Sequence, residues 1–193
     1  MAVKAIFLDK DGTLIEDVPY NVDPRRIALY RGAARALRKL ARLDYRFFVV
    51  SNQPGVGHGL FSEAALLAAG QRVAELLVRE QLSLDGFYYC PHHPGAALPH
   101  YALACECRKP APGMLLQAAA EHDVDLGASW MIGDILHDVE AGKRAGCRTL
   151  LLDNGNETEW QLYGPRVPDL IAPGWGSVAA LIAHADRAQS AKR

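Results

Sequence analysis

Residues 3–13 read Val-Lys-Ala-Ile-Phe-Leu-Asp-Lys-Asp-Gly-Thr. A short apolar run that stops abruptly at two carboxylates predicts a buried strand over Val3–Leu8 with acidic groups at its carboxyl end. In extended chain, residues two apart point the same way, so Asp9 and Asp11 converge. Gly12 then lets the backbone turn sharply. An Asp-Gly turn with a threonine cap accounts for the last residues, but a turn does not need carboxylates directly after a buried strand.

The same grammar repeats outward from this point. Strands are predicted at Arg46–Val50, Phe87–Tyr89, Ser129–Ile132, Arg148–Leu152 and Asp169–Ala172. Between them the apolar spacing becomes helical. Helices are predicted over Ala33–Leu43, over Glu63–Glu80 behind a Ser62 cap, and from Pro112 to Glu121. Further helices follow over Asp138–Ala145, stopped by Gly146, and from Ser177 onward. Strand–helix alternation of this kind predicts an α/β fold: a doubly wound parallel sheet with helices on both faces and working residues at the carboxyl ends of the strands. The 193 residues fit one domain, expected over 1–188 with a frayed tail at 189–193. Neither interval between the chemistry-bearing segments is long enough for a large cap domain.

Composition narrows the class. The hydrophobic share is 50% and the charged share 22%, as in an ordinary globular protein. Lys and Arg number 21 against 22 Asp and Glu, for a net charge of −1, so there is no global basic field of the kind nucleic-acid binders use. The N-terminal apolar run is too short for a secretory signal, and no stretch approaches a membrane span. A cytoplasmic location, no nucleic-acid or membrane partner, and a monomer are the expectations.

A second acidic strand end supplies the chemistry. Met131-Ile-Gly133-Asp134 is followed by Asp138, which falls in the first turn of the next helix. Each site alone is weak, since both aspartates serve as simple caps elsewhere. Together they gather up to four carboxylates, and a like-charged pair about 4 Å apart repels by roughly 4 kcal/mol at an effective dielectric near 20. Such a cluster needs a cation. Its oxygen donors suit Mg²⁺, which points to phosphoryl chemistry. Ser51-Asn52-Gln53-Pro-Gly-Val-Gly offers a hydroxyl, amides and backbone N–H groups for phosphate oxygens, although a plain glycine-rich loop has the same composition. Arg108-Lys109-Pro-Ala-Pro places a stiffened lysine within reach of the same cluster.

The segment 90–112 has no periodicity and is dense in Cys, His and Pro. Cys90-Pro-His92 and Cys105-Glu-Cys107 form two pairs separated by twelve residues. Three thiolates and an imidazole make a closed tetrahedral Zn²⁺ set, hence a structural ion, with His93 a rival to His92. The alternative is an unstructured loop of reduced cysteines, which leaves little to order a segment of this length. Cys147, in an apolar stretch, reads as a packed core thiol.

Asp9-x-Asp11-Gly-Thr, Ser51 after the second strand, Lys109 before a helix and Gly133-Asp134-x-x-x-Asp138 resemble, in order, the four motifs of the haloacid dehalogenase (HAD) superfamily. The resemblance spans about Val3 to Leu152. It implies a HAD-like Rossmannoid fold with Asp9 as the nucleophile that becomes a phosphoaspartyl group, and Asp11 as general acid and then general base. It implies Mg²⁺ bound by the Asp9 carboxylate, the Asp11 backbone carbonyl and the Asp134 carboxylate. Ser51 and Lys109 would steady the phosphoryl group, and Asp138 would orient them. The cysteine loop, followed by Arg-Lys-Pro-x-Pro-Gly-Met, is similar to that of the D-glycero-D-manno-heptose 1,7-bisphosphate 7-phosphatases and of the related histidinol-phosphate phosphatases. A phosphorylated sugar substrate, in heptose synthesis for lipopolysaccharide or other glycans, follows from that likeness. So do contacts from Asp17, Tyr20, Asn52, Gln53 and Arg108. A forked guanidinium at Arg108 matches a second, non-reacting phosphate. A non-enzymatic receiver-like phosphoacceptor is the rival class, but its acceptor aspartate lies at the third strand and it has no zinc loop.

Overall fold

Four of the five residues of the first strand, Ala5 to Leu8, are buried, and their side chains divide between two cores. In β1 (Lys4–Leu8), Ile6 and Leu8 enter one core, while Ala5 and Phe7 enter the other. In β2 (Tyr45–Asn52), Phe47 and Val49 face the first core, and Phe48 and Val50 the second. This is why these strands read as unbroken apolar runs: a strand covered on both faces has no polar side to alternate with. The computed structural model describes residues 3–191. Its remaining strands are β3 (Gly86–Cys90), β4 (Trp130–Gly133), β5 (Arg148–Leu152) and β6 (Leu170–Ala172). They form one sheet in the order β3-β2-β1-β4-β5-β6, with every pairing parallel.

The helices are α1 (Ala33–Ala41), α2 (Pro54–Gly57), α3 (Glu63–Arg79), α4 (Gly113–His122), α5 (Leu136–Ala145) and α6 (Trp175–Ser190). Residues of α1, α3 and α6 pack into the core that holds Ile6 and Leu8; residues of α4 and α5 pack into the one that holds Phe7. The doubly wound parallel sheet is therefore as expected. Ser62 caps α3, its Oγ accepting from Ala65 N at 3.1 Å. Gly146 ends α5 in the left-handed region at φ 91°.

Local differences have physical reasons. Helix α5 starts at Leu136, two residues early, because the Asp138 carboxylate accepts from Ile135 N at 3.3 Å and closes the first turn. The glycine-rich stretch after β2 is not a plain loop. Pro54 opens the one-turn helix α2, and a Cβ on Gly57 would stand 2.7 Å from the carbonyl oxygen of Pro91. Helix α6 runs to Ser190, so residues 189 and 190 of the expected tail are its last two; 192 and 193 lie outside the described residues. No helix among the described residues is long and apolar enough to cross a membrane.

Candidate active site

The strand order reverses between β1 and β4, and a doubly wound sheet opens its ligand crevice at such a reversal. Asp9 directly follows β1 and its N–H donates to Ile132 O at 3.0 Å; Asp134 directly follows β4. Carboxylate oxygens of Asp9, Asp134 and Asp138 all lie within 4.8 Å of one another. Lys109 threads into this group from the cysteine-loop side. Its Nζ donates to Asp9 Oδ1 at 2.5 Å and to Val50 O at 2.8 Å, and forms an ion pair with Asp138 Oδ1 at 2.7 Å. Asp9, Asp134, Asp138 and Lys109 thus converge on one point, while Asp11, the fourth carboxylate expected there, is not in this group because the chain leaves strand geometry after Leu8.

The charges there do not balance. Three carboxylates face one ammonium, which leaves an excess of two negative charges. Burial, outweighing the opposing attraction of Lys109, pushes the Asp9 carboxyl well above the usual carboxylate range, with repulsion from Asp138 and Asp134 adding to it. Burial and then Asp138 push Asp134 up to about 6. Burial disfavours the Lys109 ammonium, but Asp138 and Asp9 together overcome this and hold it charged. A divalent cation among oxygen donors would neutralise this excess, so the donor set fits Mg²⁺.

A cleft of about 340 Å³ opens over the cluster, lined among others by Asp9, Asp11, Asp17, Asn52, Asp134 and Asn156. Asp11 stands on its wall, with Oδ1 accepting from Lys10 Nζ at 2.7 Å and Oδ2 from Gln53 Nε2 at 2.8 Å. Gln53 also donates to Ser51 Oγ at 2.8 Å. Asn52 forms a reciprocal clamp on the Lys109 backbone: its Nδ2 donates to Lys109 O, and Lys109 N donates to its Oδ1, both at 2.9 Å. Asn52 and Gln53, expected to hold substrate, therefore direct these amide contacts at the protein. Tyr20 is exposed and packs above Gly55, away from the cleft lining. Arg108 donates to His92 O at 3.2 Å and lies outside that lining too.

Sequence reasoning missed one side of the site. The polar run after β5, to which the sequence assigned no role, folds over Asp134. Asn156 Nδ2 donates to Asp134 Oδ2 at 2.6 Å, Thr13 Oγ1 donates to Asp134 Oδ1 at 2.9 Å, and Asn154 Nδ2 ties the loop to Gly12 O at 2.7 Å. Glu157 accepts from Leu136 N at 2.6 Å at the start of α5. Gly12, at φ 78°, leaves no room for a Cβ, which would meet the Asp134 carboxylate and the Asn156 amide. The available signal was position: these asparagines follow β5, the strand beside β4, at its carboxyl end.

Cys90, His92, Cys105 and Cys107 also come together. Their Sγ–Sγ separations are 3.0, 3.2 and 3.5 Å, and His92 Nδ1 lies 3.4 and 3.6 Å from Cys107 and Cys90. A zinc tetrahedron with bonds of 2.3 Å has edges of about 3.8 Å, whereas a disulfide requires about 2.05 Å, so the four donors fit the ion and not a crosslink. The close contact between Cys90 and Cys107, with burial, pushes the Cys90 thiol up; the same contact draws Cys107 down to about 5. His93 takes no part: its Nδ1 accepts from Gly95 N at 3.0 Å. Cys147 is buried in the α4–α5 core, where burial pushes its thiol up to about 12.

Known proteins resemble this chain in sequence and fold. The HAD-hydrolase-like family model matches residues 106–176. The D-glycero-β-D-manno-heptose-1,7-bisphosphate 7-phosphatase of Yersinia pestis is 38% identical over 151 residues, 78% of this chain and 80% of the relative. The enzyme of that name from Pasteurella multocida is 41% identical over 149 residues, 77% of this chain and 80% of its own. The chain belongs to the heptose-bisphosphate phosphatase family of HAD hydrolases. A crystal structure in this family, the D,D-heptose 1,7-bisphosphate phosphatase of B. bronchiseptica complexed with magnesium and phosphate, is 28% identical with a TM-score of 0.76, over 95% of this chain and 99% of that one. The family assignment, the parallel sheet and the phosphatase class expected from the motifs all agree with these likenesses.

Proposed function

We propose that the chain hydrolyses the 7-phosphate of D-glycero-β-D-manno-heptose 1,7-bisphosphate through a phosphoaspartyl intermediate on Asp9. The observation that carries this reading is the buried Asp9 carboxylate held against Lys109 at the sheet's reversal point, beside Asp134 and Asp138, in a chain 38% identical to enzymes of that name. An Asp9 oxygen attacks phosphorus as the bond from phosphorus to the sugar oxygen breaks, and Asp11 gives its proton to that oxygen. Water then attacks the phosphoaspartyl phosphorus and Asp11, now ionised, takes the water's proton. Phosphate leaves and Asp9 is regenerated.

Lys109 offsets charge on the phosphoryl group, and Asp138 holds Lys109 in place. Ser51 serves through the Gln53 amide it contacts. Mg²⁺ would be held by the carboxylates of Asp9 and Asp134 and the backbone carbonyl of Asp11; when bound it supplies charge neutralisation at the reacting phosphate. Zn²⁺ on Cys90, His92, Cys105 and Cys107 would fix the segment that delivers Lys109 and would present Arg108 to the substrate's other phosphate. Asp17, on the cleft wall, faces the sugar.

The test measures phosphate release from the β and α anomers of heptose 1,7-bisphosphate, fructose 1,6-bisphosphate and histidinol phosphate, for the native chain and Asp9→Asn. The β anomer is expected to be preferred and Asp9→Asn to be inactive yet folded. Preference for histidinol phosphate would overturn the substrate assignment, and turnover by Asp9→Asn would overturn the nucleophile.

A further inference from the structure

Lys10 stands between the two motif aspartates, and the chemistry above leaves it without a task. On a continuing strand its side chain would point away from Asp9 and Asp11. The chain instead leaves strand geometry after Leu8 and turns back, with Leu14 N donating to Lys10 O and Gly12 at φ 78°. The turn brings Lys10 Nζ to Asp11 Oδ1 at 2.7 Å. Lys10 is 1% exposed. Lysine is almost never fully buried unless paired, so a turn alone does not account for this residue.

Asp11 is held at both ends of its carboxyl group. Lys10 reaches one oxygen from the end of β1, and Gln53 reaches the other at 2.8 Å from the junction of β2 and α2. Gln53 is itself buried and braced by Ser51. Each carboxyl oxygen keeps a second lone pair on the cleft side for a proton shared with substrate. We infer that Lys10 and Gln53 are positioning residues that hold the Asp11 carboxyl group in line for proton transfer to the departing sugar oxygen. The inference rests on Asp11 being the general acid of the proposed reaction. Proton transfer demands tight alignment, and a displacement near 1 Å costs on the order of 10²-fold in rate.

The leaving group separates this role from a merely structural one. A sugar alkoxide needs a proton in order to leave, whereas p-nitrophenolate leaves without one. kcat/KM covers the steps through departure of the alcohol, so the later water step does not enter. In the Mg²⁺-loaded full chain, Lys10→Met is expected to lower kcat/KM about 10²-fold on heptose 1,7-bisphosphate. The same variant is expected to cost p-nitrophenyl phosphate hydrolysis less than about threefold, since that ester does not draw on general-acid assistance. Lys10→Arg should restore most of the loss. Gln53→Met removes the other tether and should give the same split, which keeps the test open if Lys10→Met does not fold. Equal losses on both substrates, or no loss on either, would overturn the inference. Asp11→Asn is the control: if it shows no split, the general-acid assignment fails; if it shows one and neither tether variant does, only the positioning inference fails.

Discussion

Replacing Lys109 by Met tests the electrostatic core of the site without any substrate. The lysine is 3% exposed, and its ammonium lies 2.5 Å from Asp9 Oδ1 and 2.7 Å from Asp138 Oδ1. Met keeps most of the volume and removes the charge. Three buried carboxylates within 4.8 Å of one another are then left with no cation between them. Breaking a buried ion pair by removing one partner costs about 3–5 kcal/mol. Burying the ammonium no longer has to be offset, so the lower end, about 3 kcal/mol, is the working figure. For a domain of this size that is a fall in Tm of about 6–12 °C at pH 7 with divalent ions chelated. The sign with pH follows from the Asp9 and Asp134 carboxyls, both pushed up in the folded chain. Acidification protonates them, which weakens both the Asp9–Lys109 pair and the variant's repulsion, so the deficit shrinks toward pH 5. Differential scanning calorimetry at pH 7 and pH 5 in EDTA reads both quantities. An unchanged Tm at pH 7, or a deficit that grows on acidification, would refute the reasoning.

Asn156→Ala should weaken Mg²⁺ binding about 10-fold or more by calorimetric titration, because Asp134 loses the donor that orients it. Asp134→Asn should flatten the metal-free stability profile between about pH 4 and 6. The Asp134 carboxyl, raised from near 3.8 to about 6, binds its proton more tightly in the folded chain, so stability falls as pH rises through that window. Urea unfolding in EDTA at pH 4, 5 and 6 measures the slope, and an identical slope in the variant would contradict it. Cys107→Ala should take zinc from one equivalent to none by elemental analysis while leaving Mg²⁺ binding at Asp9 and Asp134 in place.

What the sequence revealed and what it concealed divide along a physical line. Strand ends announce themselves, because an apolar run that stops at Asp9 or at Gly133-Asp134 has no packing reason to carry a carboxylate there. Metal-type ligands announce themselves by residue type, and Cys90, His92, Cys105 and Cys107 needed only the fold to bring them within 4.8 Å of one another. Asparagine is different. Asn154 and Asn156 sit in a run of turn-forming residues, and an asparagine that orients a buried carboxylate has the same local signature as one that makes a turn. Asn52 and Gln53 are concealed in a related way: the sequence places their amides near the acidic cluster, but that Asn52 grips the Lys109 backbone while Gln53 reaches Asp11 and Ser51 depends on the rotamer. Lys10 is visible as a charge among aspartates, but its contact with Asp11 depends on the turn that begins after Leu8, which the apolar pattern does not reveal.

Among the described residues no large cap domain organises the site, and two loops on opposite sides of the reversal point take on that work separately. The cysteine loop, gathered by its four ligands and pinned by Asn52, sets the position of the one ammonium in the cluster. The loop after β5, tied to Gly12 and Asp134, sets the position of a carboxylate that this ammonium does not bond directly. Asp9 is where the two meet, bonded to Lys109 and lying beside Asp134. A disturbance of the cysteine loop therefore acts on the Lys109 ammonium, while a disturbance of the β5 loop acts on the Asp134 carboxylate. Because the two loops meet at the Asp9 cluster, their effects on stability should be additive away from it and coupled through the carboxylates that both loops restrain.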